Sequence, residues 1–256
     1  KKILEKILLK SDVFLSNLTP GALKKLGLAY DYLNLINPSL ISCEITGYGE
    51  TKEANSRKAY DFLVQAESGL CSVTGTEKNP SKVGISITDL STGLTAFSAI
   101  LRALIKRSKS TRGLRLSISM FDVMADWMNM PLLAHRYMGG APKRSGLKHT
   151  FIAPYGVFVC GDNLQILLSV QNNREFAIFC DKILGDKNLT KDPKFCDNPQ
   201  RYENRLELDS IISKKFKEMT QKIVKKKLDN AGIANSQLND VASLSRHEFL
   251  RNEQAD

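Results

Sequence analysis

Residues 82–108 read KVGISITDLSTGLTAFSAILRALIKRS, a stretch in which the pattern changes from strand to helix. The run KVGISIT at 82–88 is rich in β-branched residues and predicts a strand. From Ser91 onward, apolar residues recur at the spacing of one helical face. Asp89 lies between the two patterns. An acidic residue there suits either a helix cap or an active-site carboxylate, because strand ends and helix N-termini surround ligand sites in open α/β sheets.

The first half of the chain alternates strand and helix patterns, which predicts an α/β fold with a parallel sheet. Besides 82–88, the predicted strands are 12–16, 39–49 and 114–120. Pro20 suits a first helical turn and Gly27 suits a helix end. The predicted helices of this half are 17–28, 29–36, 59–69, 91–108 and 121–138.

The pattern changes near the Gly-Gly-Ala-Pro run at 139–142, and the chain is loop-like from there to Pro154. The run YGVFVCGDNLQILLSV at 155–170 predicts a β-hairpin that turns at 161–163, and the remainder is predicted to be helical. We therefore expect a large domain over 1–140, a connecting loop over 141–154 and a small α+β domain over 155–250. The first residues, KKILEKILLKSDVFLSN, predict an amphipathic helix and not a signal peptide.

The charge balance narrows the classes of partner. Thirty-seven basic and 27 acidic residues give a net charge of +10, which favours anionic partners. The lysines between 214 and 227 alternate with apolar residues at helical spacing, so we expect them on the solvated faces of amphipathic helices. Aromatic residues make up 7% of the chain and form no ladder with basic ones, so we expect no nucleic-acid partner.

The cysteines bear on metal binding, on disulfides and on the cellular location. The five of them are scattered, with no Cys-x-x-Cys pair and no histidine at metal-ligand spacing. This pattern predicts free thiols, no metal site and a reducing, cytoplasmic location. No apolar run is long enough to span a bilayer, so we expect no membrane partner.

Three segments carry a resemblance to a known family: DVFLSNLTPGALKKLGLAYDYLNLINPSLISCEITGYGE at 12–50, KAYDFLVQAESGLCSVTG at 58–75 and GISITDLSTGLTAFSAILRAL at 84–104. Together they closely resemble the class III CoA-transferases, the CaiB/BaiF family. The resemblance covers nearly the whole chain and implies a partial Rossmann-like parallel-sheet domain plus a smaller α+β domain. The segment RYMGGAPKRSGLKHTFIAPYGVF at 136–158 resembles the subgroup that handles itaconate, mesaconate, citramalate and succinyl-CoA.

The resemblance implies a covalent mechanism. Asp89 matches the catalytic aspartate that attacks an acyl-CoA thioester to form a mixed anhydride and then an aspartyl-CoA thioester. Coenzyme A is then a substrate carrier, with no permanently bound cofactor, and the partners are an acyl-CoA and a small carboxylate. The transient anhydride needs shielding from water. The segment SGLKHTFIAP at 145–154 corresponds to the family's active-site loop and is the predicted lid.

The resemblance also implies further site residues. The positions that match the family's CoA-binding residues are Asn17, Leu18, Ala22, Lys25, Lys58 and Met120. Tyr60 and Gln65 are expected in the pocket wall, and Lys148, His149 and Thr150 in the active-site loop. A dicarboxylate acceptor needs a cation for its distal carboxylate, and we hypothesise that Arg144, Lys148 or Arg136 supplies it.

Two alternatives stay open. The family includes α-methylacyl-CoA racemases, which place a His-Asp pair where this chain has Tyr60-Asp61. A base acting beside a thioester must titrate near neutrality, as imidazole does and phenol does not, so Tyr60 argues against a racemase. The chain also begins after the family's first strand and ends before its last segment, so a catalytically silent or truncated CoA-binding remnant is the second alternative. Family members are interlocked homodimers, and we expect a homodimer, interlocked if the chain is complete.

Overall fold

The computed structural model describes residues 2–55 and 57–250. The chain divides into two compact units, the first extending to Gly146 and the second beginning at Leu147. The finer division into 1–140, 141–154 and 155–250 stays a prediction. Within the described residues, no helix combines the length and the apolar character that crossing a membrane requires.

The first unit is built around a parallel sheet. In chain order it contains α1 (Lys2–Leu8), β1 (Val13–Ser16), α2 (Pro20–Leu26), α3 (Tyr30–Ile36), β2 (Ile41–Thr46), α4 (Lys52–Asn55), α5 (Asp61–Glu67), α6 (Leu70–Val73), α7 (Ile87–Ser110), β3 (Arg115–Ser119), α8 (Met120–Trp127) and α9 (Asn129–Tyr137). β2 lies between β1 and β3 and pairs in parallel with both. The strands predicted at 12–16, 39–49 and 114–120 are confirmed.

Helices pack on this sheet through apolar side chains of alternating strand positions. Cys43 of β2 and Ile118 of β3 are buried in one cluster with Ala96 of α7 and Val123 of α8. Phe14 of β1 points to the other face and packs against a second cluster built by α1, α2, α3 and the segments between them. The long helix α7 is thereby held along one face of the sheet.

Local sequence explains the ends of α2. The Thr19 side chain accepts a hydrogen bond from the Ala22 amide, Pro20 occupies the first turn, and Gly27 closes the helix at a φ of 67°. These are the residue types that begin and end helices, and the predicted helix is confirmed.

The strand predicted at 82–88 is wrong. Residues 81–86 form no strand, Ile85 is 58% exposed, and α7 begins at Ile87. The Val83 amide donates to the Gln65 side chain and not to a neighbouring strand. Alternating apolar residues form a strand only where they pair with a sheet, and among the described residues 82–88 pair with no strand. The predicted helix 121–138 is also divided, into α8 and α9, at Met128.

The second unit contains an antiparallel sheet and helices. Its elements are β4 (Tyr155–Val159), β5 (Gln165–Ser169), α10 (Asn173–Phe179), a π-helical turn (Cys180–Leu184), a 3₁₀ turn (Lys187–Lys191), α11 (Asn198–Glu203), α12 (Arg205–Lys217), α13 (Gln221–Asn230), β6 (Ala234–Gln237) and α14 (Val241–Leu244). The β4–β5 hairpin is confirmed, and β6, which sequence analysis did not predict, pairs antiparallel with β5.

The lysine-rich helices follow the predicted pattern. Phe216 of α12 and Val224 of α13 are fully buried in the core of the second unit, while Lys214 and Lys222 are exposed. The lysines between 214 and 227 are therefore on helix faces that border the apolar core, as expected for amphipathic helices.

A buried arginine connects the parts of the second unit. The Arg201 side chain donates from Nε to the Ala153 carbonyl at 2.9 Å, from Nη1 to the Phe195 carbonyl at 3.1 Å and from Nη2 to Asn173 Oδ1 at 2.9 Å. The residue is 1% exposed, and its guanidinium lies 4.4 Å from the centre of the Phe176 ring. Burial lowers the pKa of Arg201, so the bonds to these acceptors offset a real desolvation cost.

We predict that Arg201→Met destabilises the second unit by about 3 kcal/mol, because the carbonyls of the buried residues Ala153 and Phe195 lose their donor, as does the Asn173 side chain. Hydrogen–deuterium exchange of peptides across 195–216 measures the loss of protection. Arg174→Met, which removes an exposed arginine of α10, is the control and changes stability by less than about 0.5 kcal/mol. Equal protection in both variants would contradict the prediction.

Candidate active site

A cleft of about 650 Å³ opens at the carboxyl ends of the parallel strands in the first unit. Asn17 follows β1, Thr46 ends β2 and Met120 follows β3, and all three line the cleft. The starts of two helices complete it, with Asp61 from α5 and Asp89 from α7. This is the position at which open α/β sheets bind ligands.

Asp89 lies in the first turn of α7 and is exposed to the cleft. Within residues 2–55 and 57–250, its carboxylate has no hydrogen-bond or ion-pair partner. Partial burial, and secondly the negative charge of Asp61, raise the pKa of Asp89 above the ordinary aspartate value. The carboxylate is therefore not used to hold the fold and is free to react with a ligand.

Asp61 holds the start of α7 in place. Its Oδ1 accepts a hydrogen bond from the Thr88 amide and its Oδ2 accepts one from Gln65 Nε2, both at 2.8 Å. Gln65 is fully buried, and its Oε1 accepts from the Val83 amide at 2.9 Å. We refer to Asp61 and Gln65, with these bonds, as the α7 clamp. Sequence analysis left open that Asp89 caps the start of α7. In the structure Asp61 does so, by accepting a hydrogen bond from the Thr88 amide.

Two glycines shape the cleft in different ways. Gly93 follows Asp89 by one helical turn, lines the cleft, and has nothing within 4 Å of where a Cβ would lie. At Gly47 a Cβ would lie 2.1 Å from the Ala59 Cβ, so the absence of a side chain lets the 57–61 segment approach the end of β2. Glycine inside a helix costs about 0.5–1 kcal/mol relative to alanine, and at Gly93 that cost keeps space beside Asp89.

The structure gathers several of the residues that the sequence singled out. Asn17, Lys58, Tyr60 and Met120 line the same cleft as Asp89. Leu18, Ala22 and Lys25 lie on the segment that follows β1 but are not among the lining residues. Gln65 also lies behind the wall, where it supports Asp61.

Arg144 has well-defined partners within the first unit. Its Nε, Nη1 and Nη2 donate to the main-chain carbonyls of Thr76, Ser72 and Glu77 at 2.8–3.0 Å. Arg136 is exposed on α9. The three side-chain nitrogens of Arg144 therefore tie the residue before the predicted lid to α6 and to the segment that follows α6.

The remaining loop residues belong to the second unit. Lys148 pairs with Asp209 at 2.6 Å. The His149 ring stacks on Tyr155 at 4.8 Å, and its Nδ1 accepts from the Phe151 and Ile152 amides. Thr150 is half-buried beside it. The roles proposed for Lys148, His149 and Thr150 at the site stay predictions.

Asp61 and Arg57 are among the cleft residues that sequence analysis missed. Asp61 follows the expected Tyr60, and an acidic residue in a first helical turn is ordinarily attributed to the helix dipole. Asp61 accepts a hydrogen bond from the Thr88 amide, which is 27 residues further along the chain, and no local sequence pattern reveals such a contact. Arg57 pairs with Glu67, a partner beyond the spacing at which helical ion pairs are read from sequence.

The chain is similar to known proteins over most of its length. The sequence model of CoA-transferase family III matches residues 1–255. Succinyl-CoA:glutarate CoA-transferase of Homo sapiens is 37% identical over 220 residues, which cover 85% of this chain and 49% of that protein. Acetyl-CoA:oxalate CoA-transferase of Acetobacter aceti is 33% identical over 235 residues, covering 91% and 60%. The chain therefore spans about half the length of the curated relatives it matches.

A solved structure agrees with the fold. The crystal structure of a CAIB/BAIF family protein from Brucella suis aligns with a TM-score of 0.84 at 31% identity, covering 96% of this chain and 65% of that one. The resemblance stated from the sequence and the expected α/β fold, with a parallel-sheet domain and a smaller α+β domain, are confirmed.

The negative charge of Asp61 should have a measurable effect on the pKa of Asp89. We predict that Asp61→Asn lowers the pKa of Asp89, because removal of a nearby negative charge favours the ionised carboxylate. Carbon-detected NMR titration of the aspartate carboxyl groups measures this directly. Asp122→Asn, which removes a carboxylate from the first turn of α8, is the control and leaves the pKa of Asp89 unchanged. A pKa that stays constant or rises in Asp61→Asn would contradict the prediction.

Proposed function

Because the chain belongs to CoA-transferase family III, we propose that it moves CoA between an acyl-CoA such as succinyl-CoA and a small dicarboxylate of the itaconate, mesaconate or citramalate type. The observation that supports this proposal most is the Asp89 carboxylate, which lies in a cleft at the carboxyl ends of the strands and has no partner among the described residues. The names of the relatives support the substrate class, since succinate, glutarate and oxalate are all dicarboxylates. The proposal includes the homodimer implied by the resemblance.

Asp89 would act as a covalent nucleophile. An Asp89 oxygen attacks the thioester carbonyl carbon, the C–S bond breaks, and a mixed anhydride and the CoA thiolate result. The thiolate then attacks the Asp89 carbonyl carbon, which releases the donor acid and leaves an aspartyl-CoA thioester. The acceptor carboxylate attacks that thioester to form a second anhydride, and the returning thiolate yields the new acyl-CoA and regenerates Asp89.

The proposed chemistry explains why the nucleophile is an aspartate, and other cleft residues suit the binding of CoA. A carboxylate forms an anhydride that stays activated, whereas a serine ester would be too stable to return its acyl group to an acid. The raised pKa of Asp89 makes its ionised form a better nucleophile than an ordinary aspartate. Within the cleft, Lys58 supplies a cation and Asn17 a hydrogen-bonding amide for CoA, and Met120 an apolar contact. The 145–154 segment is proposed as the lid that excludes water from the anhydride.

Removing the nucleophile tests the proposal. We predict that Asp89→Asn lowers kcat for CoA transfer from succinyl-CoA to glutarate by about 10⁴-fold or more, as in other enzymes that lose the attacking residue. CoA binding, measured by calorimetry, is retained because the side chain keeps its size. The experiment follows formation of glutaryl-CoA by liquid chromatography.

Asp122→Asn is the matched control, since it removes an aspartate from the first turn of α8 outside the cleft. Its kcat should stay close to that of the unaltered chain. Comparable losses in both variants would refute Asp89 as nucleophile. An unaltered chain that binds CoA without any exchange would favour the silent remnant, and solvent deuterium incorporation beside the thioester carbonyl would favour a racemase.

Gly93 offers an independent test of the cleft. We predict that Gly93→Leu raises KM for the acyl-CoA about ten-fold or more, equivalent to roughly 1.4 kcal/mol of lost binding, because the side chain fills space beside Asp89. Gly93→Ala is the control, since its Cβ meets nothing within 4 Å and alanine favours the helix. An unchanged KM in Gly93→Leu would show that the substrate does not pass this face of α7.

A further inference from the structure

Arg57 is a second cation of the cleft, beside Lys58. Its Nη1 and Nη2 donate to the two carboxylate oxygens of Glu67, at 2.8 and 2.5 Å. The guanidinium lies 4.0 Å from the centre of the Tyr48 ring. The side chain is nonetheless 47% exposed, so a group that is fixed on one side stays accessible on the other.

The Glu67 pair leaves one edge of the Arg57 guanidinium unused. Both bonds to Glu67 come from the end of the fork, and the structure gives the Nε edge of Arg57 no partner among the residues it describes. Glu67 stays charged, because the Arg57 bond and a hydrogen bond with the Tyr48 hydroxyl lower its pKa. The free edge is therefore held in a defined orientation before any ligand arrives.

Arg115, in the same chain, shows how the Nε edge of a guanidinium binds a carboxylate. Its Nη1 and Nη2 donate to Glu50 at 3.1 and 2.6 Å, as the end of the Arg57 fork does to Glu67. Its Nε and Nη2 donate to Glu44 at 3.2 and 2.8 Å. One guanidinium thus holds a carboxylate on each of two edges. Within residues 2–55 and 57–250, Arg57 has the first of these carboxylates and lacks the second.

The planar shape of the Arg57 fork favours a carboxylate as the missing group. Among the described residues, the acidic side chains that line the cleft are Asp61 and Asp89, and Asp61 already accepts from Thr88 and Gln65. A planar fork pairs with a carboxylate through two parallel bonds, which an ammonium such as Lys58 cannot do. A dicarboxylate with one end near Asp89 would have its other, distal carboxylate paired with Arg57.

We propose that the Nε edge of Arg57 binds the distal carboxylate of the acceptor and so makes the site selective for dicarboxylates over monocarboxylates. This inference rests on the proposed function and assigns its specificity to a residue other than Arg144, whose three side-chain nitrogens already donate to main-chain carbonyls. Glu67 and Tyr48 are positioning residues, which orient Arg57 without touching the substrate.

The test is a binding measurement and needs no turnover. Glutarate and pentanoate, which differ by a distal carboxylate in place of a methyl group, are titrated by calorimetry into the full chain saturated with CoA. We expect Arg57→Met to weaken glutarate binding at least about ten-fold, the usual effect of losing hydrogen bonds between charged groups, and to leave pentanoate binding unchanged. Arg57→Lys, which keeps the charge and loses the fork, should lose most of the same preference. Circular dichroism checks that the variants are folded.

Other outcomes overturn the inference. If Arg144→Met removes the preference for glutarate and Arg57→Met does not, the distal carboxylate binds elsewhere. If Arg57→Met weakens CoA itself and leaves the preference unchanged, Arg57 binds a CoA phosphate. If the unaltered chain shows no preference for glutarate, there is no such subsite. Because Asp89 is intact and no transfer is measured, these results are independent of whether Asp89 is the nucleophile.

Discussion

The hydrogen bonds that the Asp61 carboxylate accepts from Thr88 and Gln65 decide where the start of α7 lies. A carboxylate is required there, because both of its oxygens are acceptors and an asparagine would offer only one. Gln65 extends the α7 clamp to the Val83 amide and so fixes the segment that leads into the helix. Asp89, one residue beyond Thr88, is placed in the cleft by contacts that do not involve its own side chain.

This division of tasks explains the chemistry available to Asp89. The first turn of a helix ordinarily uses a nearby acidic group to satisfy its free amides. Here Asp61 does so from another helix, and its charge also raises the pKa of Asp89. The same interaction thus stabilises the helix start and leaves Asp89 as a more basic carboxylate with no hydrogen-bond or ion-pair partner in the part of the chain that the structure describes. Gly93 leaves open space on the same helical face.

Local patterns predicted much of the framework. β1, β2, β3 and the β4–β5 hairpin follow from short apolar runs between turn residues, and α2 from Thr19, Pro20 and Gly27. The strand expected at 82–88 was wrong because periodicity does not show whether a sheet edge is present to pair with it. β6 was missed because its sequence, Ala-Asn-Ser-Gln, is polar and its place is set by pairing with β5. Asn17, Lys58 and Met120, which the resemblance singled out, do line the cleft. Asp61 and Arg57 were missed because their partners, Thr88 and Glu67, are too far along the chain for a short motif to reveal.

Covalent attachment to Asp89 is the central claim, and trapping it is the most direct measurement. The chain is incubated with succinyl-CoA, quenched in acid, and the peptide that carries Asp89 is analysed by mass spectrometry. The account predicts a CoA thioester or a succinyl anhydride confined to Asp89 and absent from Asp89→Asn. CoA binding with no adduct on that peptide, or an adduct that persists in Asp89→Asn, would contradict it.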